Sequence, residues 1–309
     1  MPRSSRSTSC RRYSASDASM TAEAAAHRDC HFTAQDGIRL YYRDYAGPAG
    51  NGHDRPVALC LPGLARNSKD FDGLARRLMG RHRVLAPDYR GRGRSAYDPD
   101  WLHYHPRTYL NDLRHLLTLA NVHRAVVIGT SLGGIMGMAL GVLMPGVLAG
   151  VVLNDVGPDV PPTGLNRILA YLGEDRTQPD WPAAAQHLRR MMPQLSLKTD
   201  EDWMRFARCT YREGEDGRLH YDWDPNIVRP ILEDRAPRPD LWPLFRSLRR
   251  LPVLVVRGGA SDILPPATFE RMVGEHPGLR TVVVPEVGHA PTLDEQPAQE
   301  AIDDFIDRC

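Results

Sequence analysis

Cysteine is scarce in this sequence, and it is never paired in the way that metal sites require. The 309 residues include five cysteines, and no two of them form a C-x-x-C pair. Structural zinc sites and disulfide frameworks depend on cysteines at short, regular spacings, so neither is expected here. The sequence therefore predicts a protein without a metal in a reducing compartment, which we take to be cytoplasmic. The cysteines are Cys10, Cys30, Cys60, Cys209 and Cys309.

An excess of charge of either sign is also lacking. Lys and Arg together number 39, Asp and Glu together number 38, and the formal net charge is +1. Nucleic acids and anionic membrane surfaces are bound by strongly basic faces, so neither is expected as a partner. Lys69 and Lys198 are the only lysines. Ala, Pro and Gly are abundant as well, which indicates a coding bias rather than a binding function.

Charge is missing altogether from Gly129 to Asn154. A run of this length raises the question of a transmembrane span. However, Pro145 and Gly146 interrupt it, and further glycines recur along it. A buried helix followed by a buried strand explains the run better than a membrane span does.

The first 27 residues contain no apolar stretch of the kind found in secretory signals. They are rich in Ser, Ala and Arg, and the first acidic residue is Asp17. Such a start resembles an organellar presequence, and it equally resembles translation from a misassigned start, with Met20 as the true one. We favour a disordered tail over residues 1–27.

Apolar strands alternate with amphipathic helices over most of the chain, which predicts an α/β fold with a mostly parallel sheet and helices on both faces. Between residues 156 and 240 the alternation stops, and only short amphipathic segments and many prolines remain. This segment is too long for a loop, so we expect a helical cap, or lid, inserted into a core of residues 28–155 and 241–309. The strands of the core are predicted at 57–61, 84–86, 125–128, 151–153, 253–256 and 281–284.

A G-x-S-x-G motif follows the strand at 125–128 and precedes a helix. In this setting the central serine lies on a sharp turn that exposes its hydroxyl above the strand ends. Gly129 and Gly133 flank Ser131, where side chains would collide as the strand and the helix approach each other. Ser131 is therefore predicted to be a nucleophile.

A serine nucleophile needs a histidine base and an orienting carboxylate, which follow in the order acid, then histidine. His289 lies after the last predicted strand, next to Gly288. Asp262 lies in the loop after strand 253–256 and is our preferred acid. Asp155, at the end of strand 151–153, is the alternative. Because the carboxyl ends of parallel strands share one edge of the sheet, these residues are expected to converge.

The tetrahedral intermediate of acyl transfer also needs two backbone donors. The amide of Leu132, directly after the nucleophile, is one candidate. The amide of Leu64, in the loop after strand 57–61, is the other. These two amides form the predicted oxyanion hole.

These motifs together resemble the α/β-hydrolase superfamily, in its capped esterase and lactonase-like branch. The resemblance covers about residue 30 to the end, except for the lid. It implies an eight-stranded sheet, a helical cap after the sixth strand and no cofactor. Pro62 stands where many relatives have His, which alters the loop but not the backbone donor. The motifs are Leu61–Leu64, Asp88–Ser95, Gly129–Gly134, Gly258–Asp262 and Val287–His289.

The expected function is hydrolysis of a small or medium, uncharged carboxylic ester or lactone through an acyl-enzyme. A carbon–carbon bond hydrolase of ring-cleavage products is the alternative enzyme, and a non-catalytic small-molecule receptor is the alternative of another class. The oligomeric state cannot be derived from the sequence. Several apolar lid residues are candidates for an acyl pocket or for the lid's own core: Leu172, Trp181, Met191, Met192, Trp203, Met204 and Phe206.

Overall fold

The computed structural model describes residues 10–11, 26–48, 55–173, 175–234 and 237–309. The predicted tail therefore lies mostly outside the described residues. The exceptions are residues 26–27 and β1 (Cys10–Arg11), which pairs antiparallel with β2.

One sheet dominates the described chain, with strand order β1-β2-β3-β5-β4-β6-β7-β10-β11. Strands β2, β3 and β5 pair antiparallel, and the pairs from β5 through β4, β6, β7 and β10 to β11 are parallel. Without β1 this is the mostly parallel eight-stranded sheet that was predicted. Its strands are β2 (Arg28–Thr33), β3 (Arg39–Tyr45), β4 (Val57–Leu61), β5 (Val84–Pro87), β6 (Ala125–Thr130), β7 (Leu148–Asn154), β10 (Val253–Gly258) and β11 (Arg280–Val284).

Helices cover both faces of the sheet, because alternate side chains of the central strands point to opposite sides. In β6, Val126 and Ile128 join one apolar cluster with α1 (Asp72–Leu78) and α10 (Gln296–Ile306). The other cluster contains Val127 and side chains from the helices of the opposite face. Those helices are α2 (Pro106–Leu119), α3 (Leu132–Leu143), α8 (Trp242–Ser247) and α9 (Pro266–Glu275).

Residues 156–240, called the insert from here on, lie between β7 and β10, and most of their regular structure is helical, as their amphipathic segments predicted. The stretch from Tyr211, predicted as a loop or small hairpin, forms a hairpin. The division of the chain into core and cap stays a prediction. The elements are α4 (Pro162–Leu172), α5 (Trp181–Met191), α6 (Asp200–Thr210), β8 (Tyr211–Glu213), β9 (Leu219–Tyr221) and α7 (Arg229–Glu233).

The charge-free run folds as α3 followed by the buried strand β7, as predicted. Among the described residues, no helix has both the length and the apolar character needed to cross a membrane. Cys30 is disulfide-bonded, a bond that the scattered cysteines did not predict, whereas Cys60, Cys209 and Cys309 are free thiols.

Candidate active site

The turn between β6 and α3 holds Ser131 in a backbone conformation that L-residues rarely adopt, with φ at 52° and ψ at −114°. The flanking glycines make this turn possible. A Cβ on Gly129 would lie 2.3 Å from the carbonyl carbon of Gly133, and a Cβ on Gly133 would lie 2.0 Å from the Leu61 carbonyl oxygen. The strained turn and the tight packing around it are those that the G-x-S-x-G motif predicted.

The imidazole of His289 lies between a hydroxyl and a carboxylate. Its Nε2 is 3.1 Å from Ser131 Oγ, and its Nδ1 is 2.8 Å from Asp155 Oδ2. Both are hydrogen-bond distances, so the three side chains form one continuous chain of polar contacts. The structure thus brings Ser131 and His289 together, as their positions after β6 and β11 led us to expect.

Asp155 is buried and accepts hydrogen bonds from two neighbouring residues. It is completely buried directly after β7, and its φ is 54°. Its Oδ1 accepts a hydrogen bond of 2.8 Å from the Gly258 amide, and its Oδ2 accepts one of 2.6 Å from the Ser261 hydroxyl. These hydrogen bonds satisfy the buried carboxylate and fix its orientation.

The preference for Asp262 as the partner of His289 is wrong. Its carboxylate is 43% exposed and forms a two-pronged ion pair with Arg167 of α4, at 2.7 and 2.8 Å. That hydrogen bond from Arg167 lowers the pKa of Asp262. The end of β10 and the loop after it do reach the site, but they contribute the Gly258 amide and the Ser261 hydroxyl, which support Asp155. Asp155 had been the alternative, and its direct continuation of a buried strand was the signal in its favour.

The two amides predicted for the oxyanion hole belong to residues that line the same cavity as Ser131 and His289. Leu132 begins α3, where backbone N–H groups have no partner within the helix. The backbone of Leu64 is held by Arg92, whose Nε donates to the Leu64 carbonyl at 2.8 Å. Arg92 is itself fully buried and also donates to the Tyr109 hydroxyl. The loop from Asp88 to Ser95 therefore acts structurally, by supporting the candidate oxyanion loop.

Sequence reasoning missed Asn154, which joins two of the site's loops. Its Nδ2 donates to Thr130 Oγ1 at 3.0 Å and to the Pro291 carbonyl at 2.9 Å. Its backbone carbonyl accepts a hydrogen bond of 3.0 Å from the Ser131 amide. Asn154 thereby ties the serine turn to the segment that carries His289. The available signal was an asparagine at the end of an apolar strand, directly before Asp155.

A cavity of about 1660 Å³ opens over Ser131 and His289, between the sheet edge and the insert. Of the seven apolar residues considered for an acyl pocket, Leu172, Met191, Met192 and Phe206 line it. Trp203 is instead buried within the larger apolar cluster. Further apolar lining comes from Leu64, Leu132, Ile135, Val156, Val160, Leu165 and Ile168.

The insert is attached to each of three loops that carry the site. In the loop after β4, Arg66 donates to Thr210 Oγ1 and Asn67 donates to the Cys209 carbonyl. The loop after β10 is attached through the ion pair between Asp262 and Arg167. The segment that carries His289 is attached through the Gly288 amide, which donates to the carbonyl of Gln194 at 2.8 Å, and through a hydrogen bond from Ser196 to Glu295.

Within the described residues, one cluster could supply three ligands to a metal ion: Asp36, Asp98 and His103. It is not part of the active-site cavity. Arg90 already donates to both of these carboxylates, at 2.7 and 2.6 Å, so a cation of the protein itself compensates their charge.

Comparison with known proteins identifies the family. The model of the alpha/beta hydrolase family matches residues 58–303. The chain belongs to that family. It is 35% identical over 274 residues to a 3-hydroxybutyrate-oligomer hydrolase of Cupriavidus necator. The matched region covers 85% of this chain and 91% of that protein.

Two further relatives extend the comparison within the family. A 2-(acetamidomethylene)succinate hydrolase of Mesorhizobium japonicum is 28% identical over 82% of this chain and 88% of its own length. The crystal structure of an alpha/beta hydrolase from Novosphingobium aromaticivorans superposes with a TM-score of 0.86 at 42% identity, over 92% of this chain and 99% of that one. Both relatives are hydrolases by name, and the fold of this chain matches that of the Novosphingobium protein.

Proposed function

We propose that this protein is a serine hydrolase that cleaves carboxylic esters through an acyl-enzyme. One observation carries the proposal: His289 lies within hydrogen-bond distance of the Ser131 hydroxyl on one side and of the buried Asp155 carboxylate on the other. That arrangement has the parts of a catalytic triad, and they follow along the chain in the order nucleophile, acid and base.

In the proposed reaction, Ser131 Oγ attacks the ester carbonyl carbon while His289 Nε2 takes its proton. Asp155 accepts the Nδ1 hydrogen bond and stabilises the imidazolium that forms. The amides of Leu64 and Leu132 donate to the oxyanion of the tetrahedral intermediate. His289 then protonates the leaving alcohol, and a water molecule activated by the same imidazole releases the acid and regenerates Ser131.

The proposed substrates are small or medium carboxylic esters, including lactones. The many apolar side chains that line the cavity support a largely apolar substrate body. The similarity to a 3-hydroxybutyrate-oligomer hydrolase supports short oligomers of hydroxy acids, whose units are joined by ester bonds.

A panel of p-nitrophenyl esters, lactones and hydroxy-acid dimers, tested on the wild type and Ser131→Ala, examines the proposal. We expect turnover by the wild type and a loss of about 10⁴-fold or more in the variant, because the nucleophile is removed. Equal rates in the two proteins would rule out the serine mechanism. Turnover confined to a dienone ring-cleavage product would favour the carbon–carbon bond hydrolase. Tight binding of an ester without turnover would favour a receptor.

A further inference from the structure

The base of the Arg66 side chain lies near the candidate nucleophile. A Cβ built on Gly63 would lie 3.5 Å from Arg66 Cγ and 3.8 Å from Ser131 Cβ, so the two side chains lie on the same side of the loop after β4. Arg66 lines the active-site cavity, and only 17% of its side chain is exposed. The reaction steps proposed above do not use it.

The contacts of the Arg66 guanidinium fix its position without using all of its donors. Nε and Nη2 donate to the Asp70 carboxylate at 2.7 and 2.5 Å, and Nη1 donates to Thr210 Oγ1 at 2.6 Å. Its Cζ lies 4.3 Å from the centre of the Phe206 ring. A guanidinium has five N–H groups, so two of them have no acceptor in the described part of the chain. The side chain is therefore a pre-positioned donor at the cavity wall.

Tyr171 offers a second donor in the same cavity. Its ring is part of α4 and lines the cavity, and none of the described residues forms a hydrogen bond with its hydroxyl. Burial raises the pKa of Tyr171, and the positive charges of Arg167 and Arg66 act in the opposite direction. A cavity-lining hydroxyl without a hydrogen-bond partner among the described residues fits a role in binding a ligand.

We propose that Arg66 and Tyr171 form a subsite for a free carboxylate on the substrate, a few atoms from the scissile ester carbonyl. The inference rests on the proposed function. It narrows the proposed substrates to esters that carry a free carboxylate. It also departs from the uncharged substrate expected from the sequence. A carboxylate accepts two parallel hydrogen bonds from a guanidinium and a third from a phenol. Asp70 keeps Arg66 paired while the cavity is empty, so no uncompensated charge is left at its wall.

Two pairs of esters test the subsite. In each pair, one ester carries a free carboxylate and the other carries a primary amide in its place. The two free acids are the p-nitrophenyl half-ester of glutaric acid and O-acetyl-β-hydroxybutyrate. The first pair carries the charge on the acyl side and the second carries it on the leaving-group side. The measured quantity is the ratio of kcat/KM for the acid to kcat/KM for the amide. We expect a ratio above ten in the wild type for at least one pair.

Arg66→Gln should lower that ratio about 10- to 100-fold, because hydrogen bonds to a charged group are lost. Tyr171→Phe removes only a hydroxyl inside the cavity, and it should lower the ratio about 3- to 10-fold without disturbing the fold. Arg189→Gln is the matched control. It removes an equal charge from an exposed arginine that pairs with Asp200 outside the cavity, so the ratio should stay unchanged.

A wild-type ratio near one for both pairs, or an unchanged ratio in both cavity variants, would overturn the carboxylate subsite. In that case, cleavage of the ester bond in the amide-bearing compounds by the wild type and not by Ser131→Ala would still support the serine hydrolase. If no ester were hydrolysed at all, the proposed function itself would fail.

Discussion

At the scale of single residues, the choice of the acid depends on which strand end faces the imidazole. Asp155 and Asp262 both follow parallel strands and both precede His289 in the chain. The proximity of Ser131 and His289 could be predicted, because glycine spacing and strand order mark them in the sequence. The contact of His289 with Asp155 could not, because the direction of a side chain after a strand depends on the local backbone torsions, and φ at Asp155 is positive.

Asp155→Asn should lower kcat on a p-nitrophenyl ester about 10⁴-fold, because the amide no longer stabilises the imidazolium or fixes its tautomer. Asp262→Asn weakens a half-exposed ion pair with Arg167, so kcat should change less than about threefold. Steady-state kinetics on both variants, with far-UV circular dichroism to confirm folding, measures the difference. The opposite pattern would return the role of acid to Asp262.

At the scale of elements, α3 lies so close to β6 and β4 that its first turn has no room for side chains at the glycine positions facing the sheet. A Cβ on Gly134 would lie 2.4 Å from Val156 Cγ1, which adds to the clashes described at Gly129 and Gly133. The sequence predicted this contact through the G-x-S-x-G motif. It did not predict the attachments of the insert, because side chains such as Arg167 and Ser196 meet partners about a hundred residues away.

Gly133→Ala should destabilise the protein by roughly 1–3 kcal/mol, because its Cβ would overlap the Leu61 carbonyl and force the backbone apart. Activity should fall with it, because the serine turn must shift. Gly274→Ala in α9 is the control: no atom lies within 4 Å of its added Cβ, and helix propensity favours alanine by up to about 1 kcal/mol. Urea unfolding of both variants gives the two free energies. A fully stable and active Gly133→Ala would contradict the packing described here.

At the scale of the whole molecule, the insert and the sheet share one apolar cluster. Leu188 and Trp203 of the insert belong to the same buried cluster as Val127 of β6 and Leu153 of β7. The alternation of strands and helices predicted two layers around a sheet. It gave no information on how the insert packs, because that depends on the matching of two surfaces and not on a local pattern.

We therefore expect the insert and the sheet to unfold in one transition. In a Trp101→Phe/Trp242→Phe variant, the remaining tryptophans, Trp181, Trp203 and Trp223, all report on the insert. Their fluorescence and the far-UV circular dichroism should give the same urea midpoint, because a shared core makes unfolding cooperative. A lower midpoint by fluorescence would show that the insert unfolds separately.

The three attachments of the insert bear on any attempt to engineer specificity by exchanging it. Transplanting the equivalent segment of another family member would bring new cavity walls, but it would also remove the partners of Asn67, Asp262 and Gly288. Each of these residues belongs to a loop that carries the site. A successful chimera would have to carry the matching anchor residues with the transplanted segment, and redesign confined to cavity-facing side chains of α4 and α6 would leave those anchors in place.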